Sequence, residues 1–363
     1  MERSAGAPAL RGASLLQRAS EAYLSRVSPR TEHACAAALA LATAHVALGR
    51  AASEVYAQRE VEAKSAASGE HAQRLPSAGR AQDHPLATWL LHNGVVWGLC
   101  ELKERLVGTL QSGDSAAKLF LKLMAASVIQ VDGCVFVCHL LISRLYRHTP
   151  YFTDKRPRQT WQEVAKDYAS CNLVVNVVAA VLQVALFRVM RSKPSEAAAA
   201  AAAAAEGFRP MRFLARLAWM RLCTDAVFWA GHWVLHTKPV YWAHKVHHEH
   251  AHTKITTNFH FSWYDLLIEG FLPVFVGLMS YELALGPIAE KETQLLSTYI
   301  LMHDVLSHAG KPVPIMNVLP PLAPWLQKWD DRNVWAHEVH HRTLKSNLSI
   351  SWWFDKMVGT DRW

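Results

Sequence analysis

Paired cysteines, strand patterns and charge are what this sequence has least of. The six cysteines, Cys35, Cys100, Cys134, Cys138, Cys171 and Cys223, lie singly in apolar stretches with no CxxC pair. That argues against a thiolate zinc finger and a disulfide framework, and reads them as small buried hydrophobes in a reducing compartment. Alternating apolar and polar runs are nearly absent, which leaves an all-α chain. Charged residues are 19% and hydrophobic residues 51%. The charged share falls below the roughly 25% of a soluble globular protein and shifts the reading toward a membrane. No basic block with interleaved aromatics occurs, so the net charge of +8 and pI of 9.2 point to an anionic lipid surface rather than to nucleic acid. The N-terminal segment MERSAGAPALRGASLLQRASEAYLSR lacks an apolar run of signal-peptide length before its charges recur. Its arginines, serines and alanines leave an amphipathic transit peptide open.

What is present is helical and apolar. Residues 1–85 read as an extension, partly disordered or a surface helix, and residues 86–363 as a membrane-embedded unit with its chemistry in 213–360. Cys171 to Met190 is the cleanest candidate span, with only Arg188 charged. Leu119 to Tyr146 is long enough to cross about 30 Å of hydrocarbon, provided Lys122, Asp132 and His139 face protein or water. Leu86 to Leu99 reads as a half-span, and Leu266 to Leu285 as an apolar stretch interrupted by Glu269, Pro273 and Glu282. The expected fold is an all-α, integral-membrane helical bundle of about four spans or half-spans, capped by a histidine-rich metal-binding head. The alanine run 197–205 is a tolerated loop insertion, and the prolines of 312–326 make a loop or re-entrant segment. Six basic residues on each side of the cleanest span give no orientation.

Thirteen of the 20 histidines fall between His232 and His341. His232 and His236 stand at i and i+4. His244, His247 and His248 follow i, i+3, i+4, and His337, His340 and His341 repeat that spacing, so on helices each set projects from one face. Neutral imidazole suits zinc, iron, copper or nickel, whereas magnesium and calcium prefer oxygen. Eight histidines in these tight motifs exceed what one tetrahedral zinc uses, and two irons account for the number. The segment HEVHH is not the HExxH protease pattern, because its second histidine recurs at i+3 and the other copy has Lys245 in place of Glu338.

The order HxxxH, HxxHH, HxxHH among hydrophobic helices resembles the fatty acid hydroxylase superfamily, which includes sterol desaturases, 4-methylsterol oxidases and fatty acid hydroxylases. The likeness runs from Phe213 to Thr360. It extends to Asp225 before the first motif, Tyr241-Trp242 before HKVHH, His308-Ala309-Gly310 for the family's HSG, and Asn347 with Trp353 to Thr360 for its closing NYG…WDxxxGT. The resemblance implies metal ligation by His232, His236, His244, His247, His248, His337, His340 and His341, with His308 added. It places Asp225, Asn347 and Asp355 in the catalytic region, Asp225 and Asp355 as groups that position the ligands. It further implies two iron ions, with zinc a possible substitute, dioxygen, electrons from cytochrome b5 or an NAD(P)H reductase, a lipid substrate drawn from the bilayer, and an endoplasmic reticulum membrane. The implied reaction is hydroxylation or desaturation of a sterol or fatty-acyl lipid, and the alternative is a non-catalytic metal-binding member. Two departures stand out. Trp233 replaces the usual Arg, and Phe259 to Asp265 resembles FRFHPLE with Ser262 in the histidine's place. His260 or His303 is the candidate for the missing nitrogen.

Overall fold

The structure, a computed structural model, describes residues 85–362 except 112, 148, 154, 191–206, 287 and 314–326. The N-terminal extension to residue 84 with its transit-peptide reading, the alanine run and nearly all of the proline-rich loop lie outside the described residues.

Every regular element among the described residues is a helix. In chain order they are α1 (Pro85–Val107), α2 (Ala116–Ser127), α3 (Gly133–Arg144), α4 (Trp161–Asp167), α5 (Leu173–Met190), α6 (Pro210–Leu235), α7 (Tyr241–His244), α8 (Trp263–Leu266), α9 (Leu272–Leu285), α10 (Glu290–Ser307), α11 (Gln327–Thr343) and α12 (Trp352–Val358). One π-helical turn joins α2 to α3, another α4 to α5 and a third α8 to α9, at Val128–Asp132, Tyr168–Asn172 and Leu267–Phe271. The starts are written locally: Ser115 Oγ accepts from Lys118 N, and Thr160 with Glu163 forms a reciprocal capping box.

Among the described residues, the three composite rods are the helices long and apolar enough to cross a membrane, Ala116–Arg144, Trp161–Arg188 and Trp263–Ala284. The sequence had suggested about four. The stretch from Cys171 is the outer part of a helix that already begins at Trp161, and the Leu86 to Leu99 half-span is part of α1. The polar residues Lys122, Asp132 and His139 inside the first span are met by protein, as their cost requires. Asp132 accepts from Tyr168 Oη at 2.7 Å and Asn176 Nδ2 at 3.2 Å, Lys122 pairs with Asp114 at 2.7 Å, and His139 lies edge-on to Trp161 with centroids 5.4 Å apart. The more polar α6 and α10 pack beside them, with Arg216 and Glu292 forming a buried ion pair between the two.

Three rods end at one place. Lys311, close to His308, donates to the carbonyls of Ile142 and Tyr146 at the end of α3. Asp167 in α4 bonds His260, and Ser262 caps the start of α8. The histidines of α6, α10 and α11 therefore collect at one end of the bundle, over an apolar core that includes Leu217, Met220, Leu296, Ile300 and Leu306. The exposed Trp233 and Trp242 lie at this end, where amphipathic aromatics suit a lipid–water boundary. The described cysteines are free thiols, four buried and Cys223 half-buried, as their apolar neighbours suggested.

Candidate metal centre

Four chain segments deliver the imidazoles. His232 stands in the last turn of α6 and His236 at its C-cap. His244 ends α7, and a 3-10 turn over His247–Glu249 follows at once. His308 is the C-cap of α10, and the last turns of α11 carry His337, His340 and His341.

These nine rings form two adjacent groups. His232, His236, His244, His248 and His340 make one, and His247, His308, His337 and His341 the other, the ligating atoms of each lying within 4.8 Å of one another. Each HxxHH motif is therefore divided rather than presented from one face, its i and i+4 histidines going to one group and its i+3 histidine to the other. In the first group Nε2 atoms stand 3.0 Å (His232 to His244), 3.1 Å (His232 to His236), 2.7 Å (His244 to His248) and 3.2 Å (His248 to His340) apart. In the second they stand 2.8 Å (His308 to His337), 3.2 Å (His337 to His341) and 3.4 Å (His247 to His308) apart. Two imidazoles at right angles on one ion, with bonds of about 2.1 Å, would be about 3 Å apart. Rings of the two groups touch, with His248 and His341 centroids 4.7 Å apart.

The hydrogen bonds behind the rings test whether a metal fits. Nδ1 of His232 faces the Leu348 carbonyl at 2.8 Å, of His340 that of Ser346 at 2.7 Å, of His341 that of His250 at 3.0 Å, of His308 that of Asp304 at 3.1 Å and of His247 that of His260 at 3.3 Å. A carbonyl only accepts, so each Nδ1 carries the proton and donates it, and each Nε2 is a bare lone pair turned inward. Nδ1 of His244 donates to Asp265 at 2.8 Å in the same way. Lone pairs converging at hydrogen-bond distance with their protons held outside suit a cation shared between them, and the donor set suits a transition metal.

Burial favours the same state. Desolvation holds the nine imidazoles below their usual range, His236 and His308 at about 4 and His340 at about 3; His232, His244, His247, His248, His337 and His341 are lowered too, with mutual repulsion adding to the burial. All are neutral at pH 7, as ligands must be. In the chelator-treated protein these depressed values make stability fall as pH falls, because below the ordinary value of 6.5 the unfolded chain takes up protons that the folded chain refuses. The loss is expected to begin near pH 6.5 and continue through pH 4, and thermal unfolding across that range measures it.

The remaining sequence candidates are placed differently. His260 joins neither group: its ring bonds Asp167 at 2.9 Å and Glu249 at 3.2 Å and stacks on His250 at 4.1 Å. His303 turns to the Ile350 carbonyl at 3.3 Å and to Asn333 and Ser351. Ser262, in the expected histidine's place, donates to the Ala243 carbonyl and caps α8 by accepting from Asp265 N. It thereby aligns Asp265 with His244.

Asp225, Asn347 and Asp355 make no hydrogen bond to the nine rings. Asp225 is fully buried in α6, 3.8 Å from Arg221; burial raises its carboxyl to about 6 against the pull of that guanidinium. Asp355 accepts from Leu348 N at 2.8 Å, and the Leu348 carbonyl receives His232 Nδ1, so Asp355 positions a ligand through one residue of backbone. Asn347, at φ 56°, ties α11 to the chain end by donating to the Ala336 and Arg362 carbonyls. Glu338 accepts from Thr253 N and Oγ1 and from His252, which engages it in holding the loop rather than as a protease base.

Sequence reasoning missed Asp265. Its signal was the acidic end of the FRFHPLE-like segment. Replacing Asp265 by Ala frees the His244 ring, and metal affinity is expected to fall about 10- to 100-fold, read by competition with a chelator.

Two buried, all-imidazole groups that could each hold a metal ion thus stand at the end of helices long and apolar enough to cross a membrane. The family model for fatty acid hydroxylase matches residues 217–360, which hold all nine histidines. That stretch, less than half of the chain, is what is similar to the fatty acid hydroxylase family. No curated protein and no solved structure matches the chain.

Proposed function

We propose that this protein is a membrane-bound non-haem di-iron oxygenase that hydroxylates or desaturates an unactivated C–H of a sterol or fatty-acyl lipid, using dioxygen and electrons from cytochrome b5 or an NAD(P)H reductase. The observation that carries the reading is the inward convergence of nine neutral imidazoles in two touching groups, within a stretch similar to this family. His232, His236, His244, His248 and His340 would hold one iron, and His247, His308, His337 and His341 the other. The irons, when bound, supply the oxidising power for C–H cleavage.

The chain's own part is to position and to exclude. Backbone carbonyls and Asp265 keep Nδ1 protonated and Nε2 free. Phe261 stacks on His247 at 3.9 Å and, with the apolar rods, keeps water from the rings. Exposed Trp233 and Trp242 seat this end at the lipid boundary, so that a lipid arrives from the bilayer rather than from solution. The endoplasmic reticulum is the membrane we assign.

The purified protein is expected to hold about two irons per chain and to consume oxygen only with an electron donor and lipid. Deleting the gene should leave one sterol or fatty-acyl species unconverted. The specific alternative is a non-catalytic metal-binding member, favoured by Ser262 in a histidine's place and by a group of only four imidazoles. It predicts zinc retained without oxygen uptake, and that result would replace the proposal.

A further inference from the structure

Glu269 lies in the third apolar rod, inside the π-helical turn Leu267–Phe271. An ionisable residue inside an apolar span is costly and stands where function needs it, and single π turns re-aim side chains at functional sites. Its carboxylate is buried, at 6% exposure. Oε1 has no hydrogen-bond partner. That atom lies 3.7 Å from His232 Nε2, the nitrogen that points into the five-histidine group, and 3.7 Å from Nδ1 on the outer side of His244, where Glu269 also groups with Asp265. Asp265, the neighbouring acid, is already engaged by His244 at 2.8 Å.

Local packing brings Glu269 there. Gly231, immediately before His232, faces the π turn so closely that a Cβ would stand 3.0 Å from Ile268 Cγ2. The absent side chain lets the helix bearing His232 lie directly against the turn bearing Glu269. A Cβ there would require Ile268 to give by a few tenths of an ångström.

Charge supplies the reason. Five neutral imidazoles would bring no negative charge to a divalent ion in an apolar surrounding, and a buried carboxylate without a cation is costly. Each deficiency removes the other. We infer that Glu269 is a sixth, anionic ligand of the metal held by His232, His236, His244, His248 and His340, so that the two metals of the centre are unlike. This rests on the di-metal reading above. With Glu269 the first group would offer six donors against the four imidazoles of the other, which assigns the exchangeable positions to the His247, His308, His337 and His341 group.

The test is anaerobic ferrous titration of the full chain in detergent, with Mössbauer spectra of wild type and Glu269→Gln. Wild type should show two irons with distinct doublets. The Gln variant should lose about 10- to 100-fold of affinity at one site and shift that site's doublet, while the other doublet stays in place and serves as the folding control. Unchanged affinities and spectra overturn the inference alone. Equal weakening of both sites makes Glu269 structural and also overturns it. No iron bound by wild type overturns it together with the di-iron reading. Should the Gln variant not accumulate, Glu269→Asp carries the test, because an oxygen withdrawn by one methylene weakens one site and spares the other; equal affinities at both sites overturn the inference.

Discussion

His340→Ala is expected to retain one iron per chain, His341→Ala the other, and the double variant neither, with no lipid turned over. Two neighbours in sequence have these separate effects because successive residues of α11 are turned about 100° from each other. His340 Nε2 approaches His248 at 3.2 Å in the five-histidine group, and His341 Nε2 approaches His337 at 3.2 Å in the four-histidine group. Each change deletes a donor and leaves its neighbours' lone pairs facing a gap. The cost should exceed the about 10- to 100-fold that removing an outer hydrogen-bond partner brings. Iron analysis of the three proteins, with equal amounts in the membrane fraction, checks it. Identical losses from the two single variants would show one shared site.

Gly310→Ala is expected to unfold the centre without touching a ligand. Gly310 follows His308 by two residues, has φ +65°, and faces the Thr253 carbonyl so closely that a Cβ would stand 2.1 Å from its oxygen. Its own carbonyl accepts from Phe152 N at 3.0 Å, and Thr253 is held in turn by Glu338 of α11. A methyl group there adds left-handed strain to a backbone overlap. The two effects together should cost about 2 to 4 kcal/mol and loosen His308 and α11 at once. Thermal unfolding in detergent should show a midpoint lowered by several degrees. An unchanged midpoint would mean that this crossing is not tightly packed.

Much of this was legible in the residues. Apolar runs with few charges marked the candidate spans, and i, i+3, i+4 histidines marked the rings that gather into two groups, because both patterns follow from helical geometry alone. What was not legible was which histidines of a motif share a group. His247 parts from His244 and His248 where the chain tightens into a 3-10 turn, and His340 parts from His337 and His341 within the continuous helix α11, because successive residues are turned about 100° from each other. The shared spacing of the two HxxHH copies concealed that division. Ser262 and His260 show the opposite limit, for a frame slip that restores a histidine in sequence leaves its ring on Asp167 and Glu249 in space. Glu269 stood in plain view as an interruption of an apolar stretch; only the π turn and Gly231 disclose what it faces.

Anomalous scattering at the iron edge from the iron-loaded protein tests the account most directly. Two peaks are expected, one among Nε2 of His232, His236, His244, His248 and His340 and one among Nε2 of His247, His308, His337 and His341. A single peak between the groups, or none at either, would contradict it.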